Sequence, residues 1–199
     1  MNPIKQMKIE PVILNGSVVR LEPLSIDYVE GLSHVGLEPE LWRWIPSPVA
    51  TIDHMHDYVL KALEEQRQGV ALPFVIIDQV SNQVIGCTRY VDIVMLHKRL
   101  EIGSTWLTSM YQRTKANTEA KLLLLTYAFE KMGVIRVTFK TDALNEKSRK
   151  AILRIGAVEE GVFRKHLITA SGRVRDSVYF SIIDTEWPMI KMKLENMLK

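Results

Sequence analysis

The sequence predicts an α/β (α+β) fold, a mixed sheet with helices on both faces. Three observations carry that expectation. Stretches of period two and period 3.6 are interleaved along the chain instead of segregating into halves. Several apolar runs are joined by short polar turns, which makes part of the sheet antiparallel. Two strand-like segments each run through a polar turn into a helix, the first at Trp106 to Lys121 and the second at T-D-A-L-N-E-K-S-R.

Taken in order, V-I-L-N-G-S-V-V-R-L places Asn15-Gly16 between apolar runs, a hairpin signal. Ser25 then fits a helix cap, with Ile26, Val29 and Leu32 on one face of the helix that follows. Leu41 to Pro48, L-W-R-W-I-P-S-P, reads as a proline-stiffened aromatic connection. Thr51 to Gln68 is helical and ends before Gly69. A-L-P-F-V-I-I-D and V-I-G-C-T-R-Y-V-D-I are strands joined through a Ser-Asn turn, and Leu100 to Leu107 is the next strand. Glu119 to Met132 is a strongly apolar helix closed by Gly133. I-R-V-T-F-K-T-D alternates as a strand, and Ser148 to Ile155 is a short helix stopped by Gly156. Val158 to Thr169 and Val174 to Asp184 form a hairpin across Ser171-Gly172, and the chain closes on a helix from Trp187.

The chain has 199 residues, enough for one domain with a sizeable core, and we expect residues 1–199 to form a single unit. An apolar content of 47% and a charged content of 25% are those of a soluble globular protein. The net charge of +3 is too small to argue for nucleic acid. One cysteine, Cys87, rules out a disulfide within the chain and points to a reducing, cytoplasmic setting. No apolar run approaches the roughly twenty residues of a membrane span. The N-terminus lacks the apolar stretch of a signal peptide.

The chemistry gathers at the two strand-to-helix turns. A helix start leaves backbone N–H groups without intrahelical partners and carries partial positive charge, so it suits an anion such as phosphate. Gln112, Arg113 and Lys115 add donors beside the first turn, and Asn145 opens the second helix. D-H-M-H-D at Asp53 to Asp57 resembles a metal motif. His54 and His56, two apart on a helix, do not share a face, and no metal is expected.

At these turns the sequence resembles the GNAT superfamily of N-acetyltransferases, and within it the RimJ/RimL-like branch that acetylates ribosomal-protein N-termini. The blocks that carry the resemblance are E-I-G-S-T-W-L, Y-Q-R-T-K-A-N-T-E-A-K, R-V-T-F-K-T-D-A-L-N-E-K-S-R-K-A-I, G-A-V-E-E-G-V-F-R-K-H and G-R-V-R-D-S-V-Y-F-S-I. The resemblance implies a mostly antiparallel sheet of about seven strands with a splayed strand pair. It implies acetyl-CoA as co-substrate and direct transfer to an amine acceptor, a protein N-terminus or a small molecule. A non-catalytic acyl-CoA sensor on the same scaffold is the alternative. The protein would be a monomer or a homodimer, with no membrane or nucleic-acid partner.

By the same resemblance, Trp106 and Leu107 on the bulged strand would contact the pantetheine arm. Gln112, Arg113, Thr114, Lys115, Ala116, Asn117 and Thr118 would cradle the pyrophosphate, although Lys115 stands where the family usually has glycine and Asn117 where it has a small residue. Asn145 would touch the arm. Ile152 occupies the position of the tyrosine that many relatives use as acid, so Ser148 is the candidate partner of the departing thiolate, and Glu101 is the candidate base. Trp42 and Trp44 are either walls of the acceptor groove or plain core. Glu159 and Glu160 read as solvated charges near the open side of the sheet.

Overall fold

The computed structural model describes residues 9–45, 48–169 and 171–199. The reading of the extreme N-terminus, and Pro46 and Ser47 of the aromatic connection, lie outside those residues. Eight strands form one sheet in the order β1-β2-β3-β4-β5-β6-β8-β7. They are β1 Leu14–Asn15, β2 Val19–Pro23, β3 Leu72–Asp78, β4 Val84–Val94, β5 Arg99–Leu107, β6 Arg136–Asp142, β7 Val158–Ile168 and β8 Val174–Ile183. Every neighbouring pair is antiparallel except β5 and β6. The sheet is one strand wider than the resemblance implied.

The helices are α1 Val29–Gly36, α2 Pro39–Trp42, α3 Ile52–Arg67, α4 Lys115–Thr126, α5 Glu146–Arg154 and α6 Trp187–Leu198. Alternate residues of β3 feed two apolar cores on opposite faces. Leu72, Phe74 and Ile76 join a core with Leu124 and Ala120 of α4, Ile155 after α5, and Ile190 and Leu194 of α6. Val75 and Ile77 join a second core with Leu32 of α1, Met55 and Val59 of α3, Trp42 and Trp106. Side chains of period two on a strand must divide this way, so the sheet is covered on both faces.

Two expectations shift. The hairpin between β1 and β2 turns at Ser17-Val18, two residues beyond Asn15-Gly16, with Gly16 N donating to Val19 O at 2.9 Å. A long-range anchor explains the shift. The buried carboxylate of Glu119 on α4 accepts from Ser17 N, Ser17 Oγ, Val18 N and Val19 N at 2.6–2.9 Å. A Cβ at position 16 would lie 2.3 Å from that carboxylate, so Gly16 is there for close approach, not for the turn. The second shift is at α4, which starts at Lys115 and not at Glu119. Thr114 is its cap, accepting from Ala116 N at 3.2 Å. Asn117 and Thr118 are residues of its first turn.

Candidate active site

β5 and β6 lie parallel for only three residue pairs, Arg99 with Arg136, Leu100 with Val137 and Glu101 with Thr138. Beyond that fork β6 keeps its ladder with β8 as far as Asp142, while β5 stays with β4. The facing edges of Ile102–Leu107 and Phe139–Asp142 therefore have no strand partner, and a slot opens between them. β5 is bulged where the slot begins. Its register against β4 slips between Cys87–Trp106 and Arg89–Gly103, and Ser104 takes φ +48°. Gly86 lets β4 approach the bulge, since a Cβ there would lie 2.2 Å from Trp106 O.

Gln112 spans the mouth of the slot. Its Nε2 donates to Leu107 O at 2.9 Å, and its Oε1 accepts from the Lys147 ammonium on the first turn of α5. Arg113 follows at φ +62° with an exposed side chain, and α4 begins two residues later. Thr118 is buried and accepts from Arg154 at 2.9 Å, tying α4 to α5 across the slot. Asn145 caps α5, accepting from Ser148 N at 3.0 Å, and Ser148 is half-buried on the first turn. The bulge of β5, the start of α4 and the start of α5 are thus linked by Gln112, which contacts Leu107 and Lys147, and by Thr118, which contacts Arg154.

Lys115 departs from the phosphate role expected of its side chain. Its ammonium donates to Leu198 O at 2.6 Å, at the C-terminal end of α6, where unpaired carbonyls attract a cation. Trp42 is a core residue and not a groove wall. It is 3% exposed, its indole N–H donates to Gly36 O at 2.6 Å, and its ring packs on Tyr58 and Trp106. The Trp106 ring lies in the same core, so only its backbone faces the slot. Trp44 is half-exposed, with the guanidinium groups of Arg43 and Arg173 over its ring at 5.0 and 5.8 Å. Glu159 and Glu160 are exposed charges, as expected, and each is paired. Glu160 pairs with Arg136 and accepts from Ser181, and Glu159 pairs with Arg149.

The opposite side of the fork is polar. Glu101 is buried at its apex with Lys140 Nζ 3.2 Å away. Burial pushes its carboxyl above the ordinary carboxylate range, and the Lys140 charge opposes that rise. Gly103 preserves this placement, because a Cβ there would come within 2.9 Å of Glu101 Oε1. Lys140 lies 5.7 Å from the Tyr179 ring. His166 Nδ1 lies 3.0 Å from Ser177 Oγ, and burial, then Lys140 and Arg175, hold its pKa below the usual value. Asp142 is fully buried beneath Arg173 and Arg175, and Arg175 Nη1 also donates to Trp44 O at 3.2 Å. A cavity of about 280 Å³ continues this face, lined by Arg136, Thr138, Glu160, Phe163 and Tyr179 among others.

Sequence reasoning missed Lys140, Asp142, Arg175, Tyr179 and His166. A signal was present. Thr138, Lys140 and Asp142 alternate along β6, and Ser177, Tyr179 and Ser181 stand opposite them on β8, so one sheet face had to be polar. Lys121 was missed too. It is buried on α4, its Nζ donates to Thr105 Oγ1 at 2.7 Å, and burial alone pulls its pKa down to about 7. No cluster of His, Cys, Asp or Glu that could hold a metal occurs among the described residues.

A sheet forked beside a bulged strand, with one helix starting on each side of the fork, is the architecture that the resemblance implied. Residues 19–158 match the model of the acetyltransferase (GNAT) domain, and the chain belongs to that family. YdaF of Bacillus subtilis (strain 168), which is named as a ribosomal N-acetyltransferase, is 37% identical over 92 residues. That match covers 46% of this chain and 49% of YdaF, so it spans about half the length of the curated relative. The crystal structure of a GCN5-related N-acetyltransferase from Brucella melitensis superposes with a TM-score of 0.89 at 32% identity, covering 100% of this chain and 90% of that one. The ribosomal-protein-S5-alanine acetyltransferase from Vibrio fischeri shares the fold, with a TM-score of 0.73 at 21% identity over 88% of this chain and 98% of its own.

Proposed function

We propose that the chain is one catalytic unit that transfers an acetyl group from acetyl-CoA directly to a primary amine, and that the amine is a protein N-terminus. The observation that carries this reading is the forked pair β5 and β6, with a bulge on one arm and helix starts at its mouth. The residues present fit the co-substrate. The unpaired edge of β5 at Trp106 and Leu107 offers backbone groups to an extended arm. The α4 start at Thr114 to Thr118 offers N–H groups to the pyrophosphate, and the exposed Arg113 offers a charge. Asn145 and Gln112 flank the arm. Acetyl-CoA supplies the activated thioester.

Glu101 is the base in this reading. A buried carboxyl with a raised pKa accepts a proton near neutrality better than an exposed one. An α-amine titrates near 8, so a modest base suffices. The amine nitrogen bonds to the thioester carbon, the carbon–sulfur bond breaks, the amine proton passes to Glu101, and Ser148 donates toward the departing sulfur. The acceptor lies along Trp44, Lys140, Tyr179 and His166. The relative named as a ribosomal N-acetyltransferase supports a protein N-terminus over a small amine. The single buried thiol, Cys87, supports work in the reducing cytoplasm. Among the described residues no helix is long and apolar enough to cross a membrane.

Calorimetry with acetyl-CoA and CoA, followed by turnover on a panel of N-terminal peptides, lysine peptides and small amines, tests the reading. Micromolar binding with turnover confined to free N-terminal peptides is expected. Turnover on small amines alone would overturn the acceptor, and binding without turnover on any amine would favour the acyl-CoA sensor.

A further inference from the structure

A lysine with 6% of its surface exposed and, among the described residues, a single threonine hydroxyl as its partner is a costly thing to keep in a core. Lys121 sits on α4 beside Ala120, Leu124 and Leu125, all fully buried and apolar. No carboxylate lies within 4 Å of its ammonium among the described residues. Among the described residues, the one hydrogen bond its ammonium makes leads to the bulge of β5. Thr105 follows Ser104, the residue at φ +48°, and lies inside the register slip. Its Oγ1 accepts from Lys121 Nζ at 2.7 Å and lies 2.7 Å from Thr88 Oγ1 on β4. Lys121, Thr105 and Thr88 therefore form a chain from the helix above the slot, through the bulge, to the neighbouring strand.

We propose that Lys121 is a positioning residue for acetyl transfer: through Thr105 it fixes the β5 bulge so that the strand's backbone N–H groups point at the thioester carbonyl. The inference rests on the acetyl-CoA reading above and deepens it. The bulged backbone is strained at Ser104 and has no partner on its β6 side, so something must hold its orientation. A threonine can present its hydroxyl to both a lysine amine and a second threonine only in a narrow range of strand geometries. A misplacement on the scale of 1 Å at such a strand is enough to cost about 100-fold in rate.

The same chain makes the site responsive to pH. Burial is the sole cause of the lowered Lys121 pKa, about 7, and no charge on β4, β5, α5 or its own helix offsets it. Glu119, two residues away, is turned to the β1–β2 hairpin, and Arg154 of α5 is bound to Thr118. Above neutrality the amine is uncharged and sits in the core without an electrostatic penalty. Below it, a proton places an unpaired cation against the bulge.

The test uses full-length protein and two probes, acetyl-CoA and S-ethyl-CoA, which differ in the carbonyl oxygen. At pH 8 the wild type should bind acetyl-CoA at least about fivefold more tightly than S-ethyl-CoA, the worth of one net hydrogen bond. Lys121→Met and Thr105→Val should bind the two probes equally, with S-ethyl-CoA affinity unchanged within about twofold, and Thr105→Ser should keep the preference. The double variant should lose no more than either single one. The wild-type preference should fade as pH drops below 7, and the variants should show no such change. A preference retained in both Lys121→Met and Thr105→Val overturns the proposal, as does a wild type that never distinguishes the probes. A wild type that binds neither probe removes the acetyl-CoA reading itself. If Lys121→Met fails to fold, the Thr105→Val and Thr105→Ser pair decides alone.

Discussion

Glu101 and Lys140 face each other at 3.2 Å across the point where β5 and β6 part, one buried and the other partly open to solvent. Burial raises the Glu101 pKa and Lys140 pulls it back. Removing the lysine charge leaves the first effect unopposed. Lys140→Met should therefore move the acidic limb of the kcat/KM profile to higher pH, with activity at pH 6 falling more than activity at pH 8. An unchanged limb would show that Glu101 is not the group whose ionisation the rate follows. Stability runs in a definite direction as well. A carboxyl whose folded pKa lies above its unfolded value stabilises the fold at low pH, and that contribution is lost as pH rises through the folded value. Glu101→Gln should melt higher than the wild type at pH 8, and the gap should close toward pH 4.

Glu119 is a second buried carboxyl, and it gathers four hydrogen-bond donors from the β1–β2 hairpin. Three backbone N–H groups and the Ser17 hydroxyl point at it. Glu119→Ala would leave those donors unpaired, Val19 N in the core and the others at its half-buried edge. A loss of about 3–5 kcal/mol of stability is expected, measured by urea unfolding. Amide exchange at Ser17, Val18 and Val19 should accelerate selectively even under conditions where the rest of the sheet stays protected.

The division between what the sequence disclosed and what it hid follows the range of the interactions. Strands, helices and their order were legible because period-two and period-3.6 patterns are local, as in I-R-V-T-F-K-T-D for β6 and Thr51 to Gln68 for α3. The β1–β2 turn was displaced because its register is held by Glu119, about one hundred residues away in sequence. The start of α4 was set too late because Lys115 and Asn117 read as loop residues, and the Thr114 cap was not recognised as such. Glu101 lies in the last paired position of β5 and β6, and Asn145 and Ser148 lie at the start of α5. The partner of Glu101 stayed hidden, because only the sheet order brings Lys140 of β6 beside it and Tyr179 of β8 beside Lys140.

The two cations of the first turn should now separate in their effects. Arg113 is exposed, with no ion pair among the described residues, at the mouth of the slot, whereas Lys115 is engaged by Leu198 O. Arg113→Glu should weaken CoA by about tenfold or more at low salt, and the loss should shrink as salt is added. Lys115→Met should change CoA affinity by less than about threefold and instead loosen α6, seen as faster amide exchange in its last turn. The reverse ranking in a CoA titration would mean that Lys115 leaves α6 when the phosphates arrive.

The two tryptophans of the aromatic connection give the last contrast, since they sit two residues apart in quite different surroundings. Trp42 is sealed in the core against Tyr58 and Trp106, and its N–H is satisfied by the end of α1. Trp42→Ala opens a large cavity and should cost about 3–5 kcal/mol of stability. Trp44 is half-exposed between two arginines, and its backbone, not its ring, receives Arg175. Trp44→Ala removes cation–π contacts worth about 1 kcal/mol in total, so the melt should barely move. Its ring stands beside Arg173, which pairs with the buried Asp142 at the end of β6, where the proposed acceptor enters. KM for a peptide acceptor should therefore rise several-fold while CoA affinity stays unchanged. A Trp44→Ala protein with an unaltered acceptor KM would move the acceptor away from this connection, toward the cavity lined by Arg136, Phe163 and Tyr179.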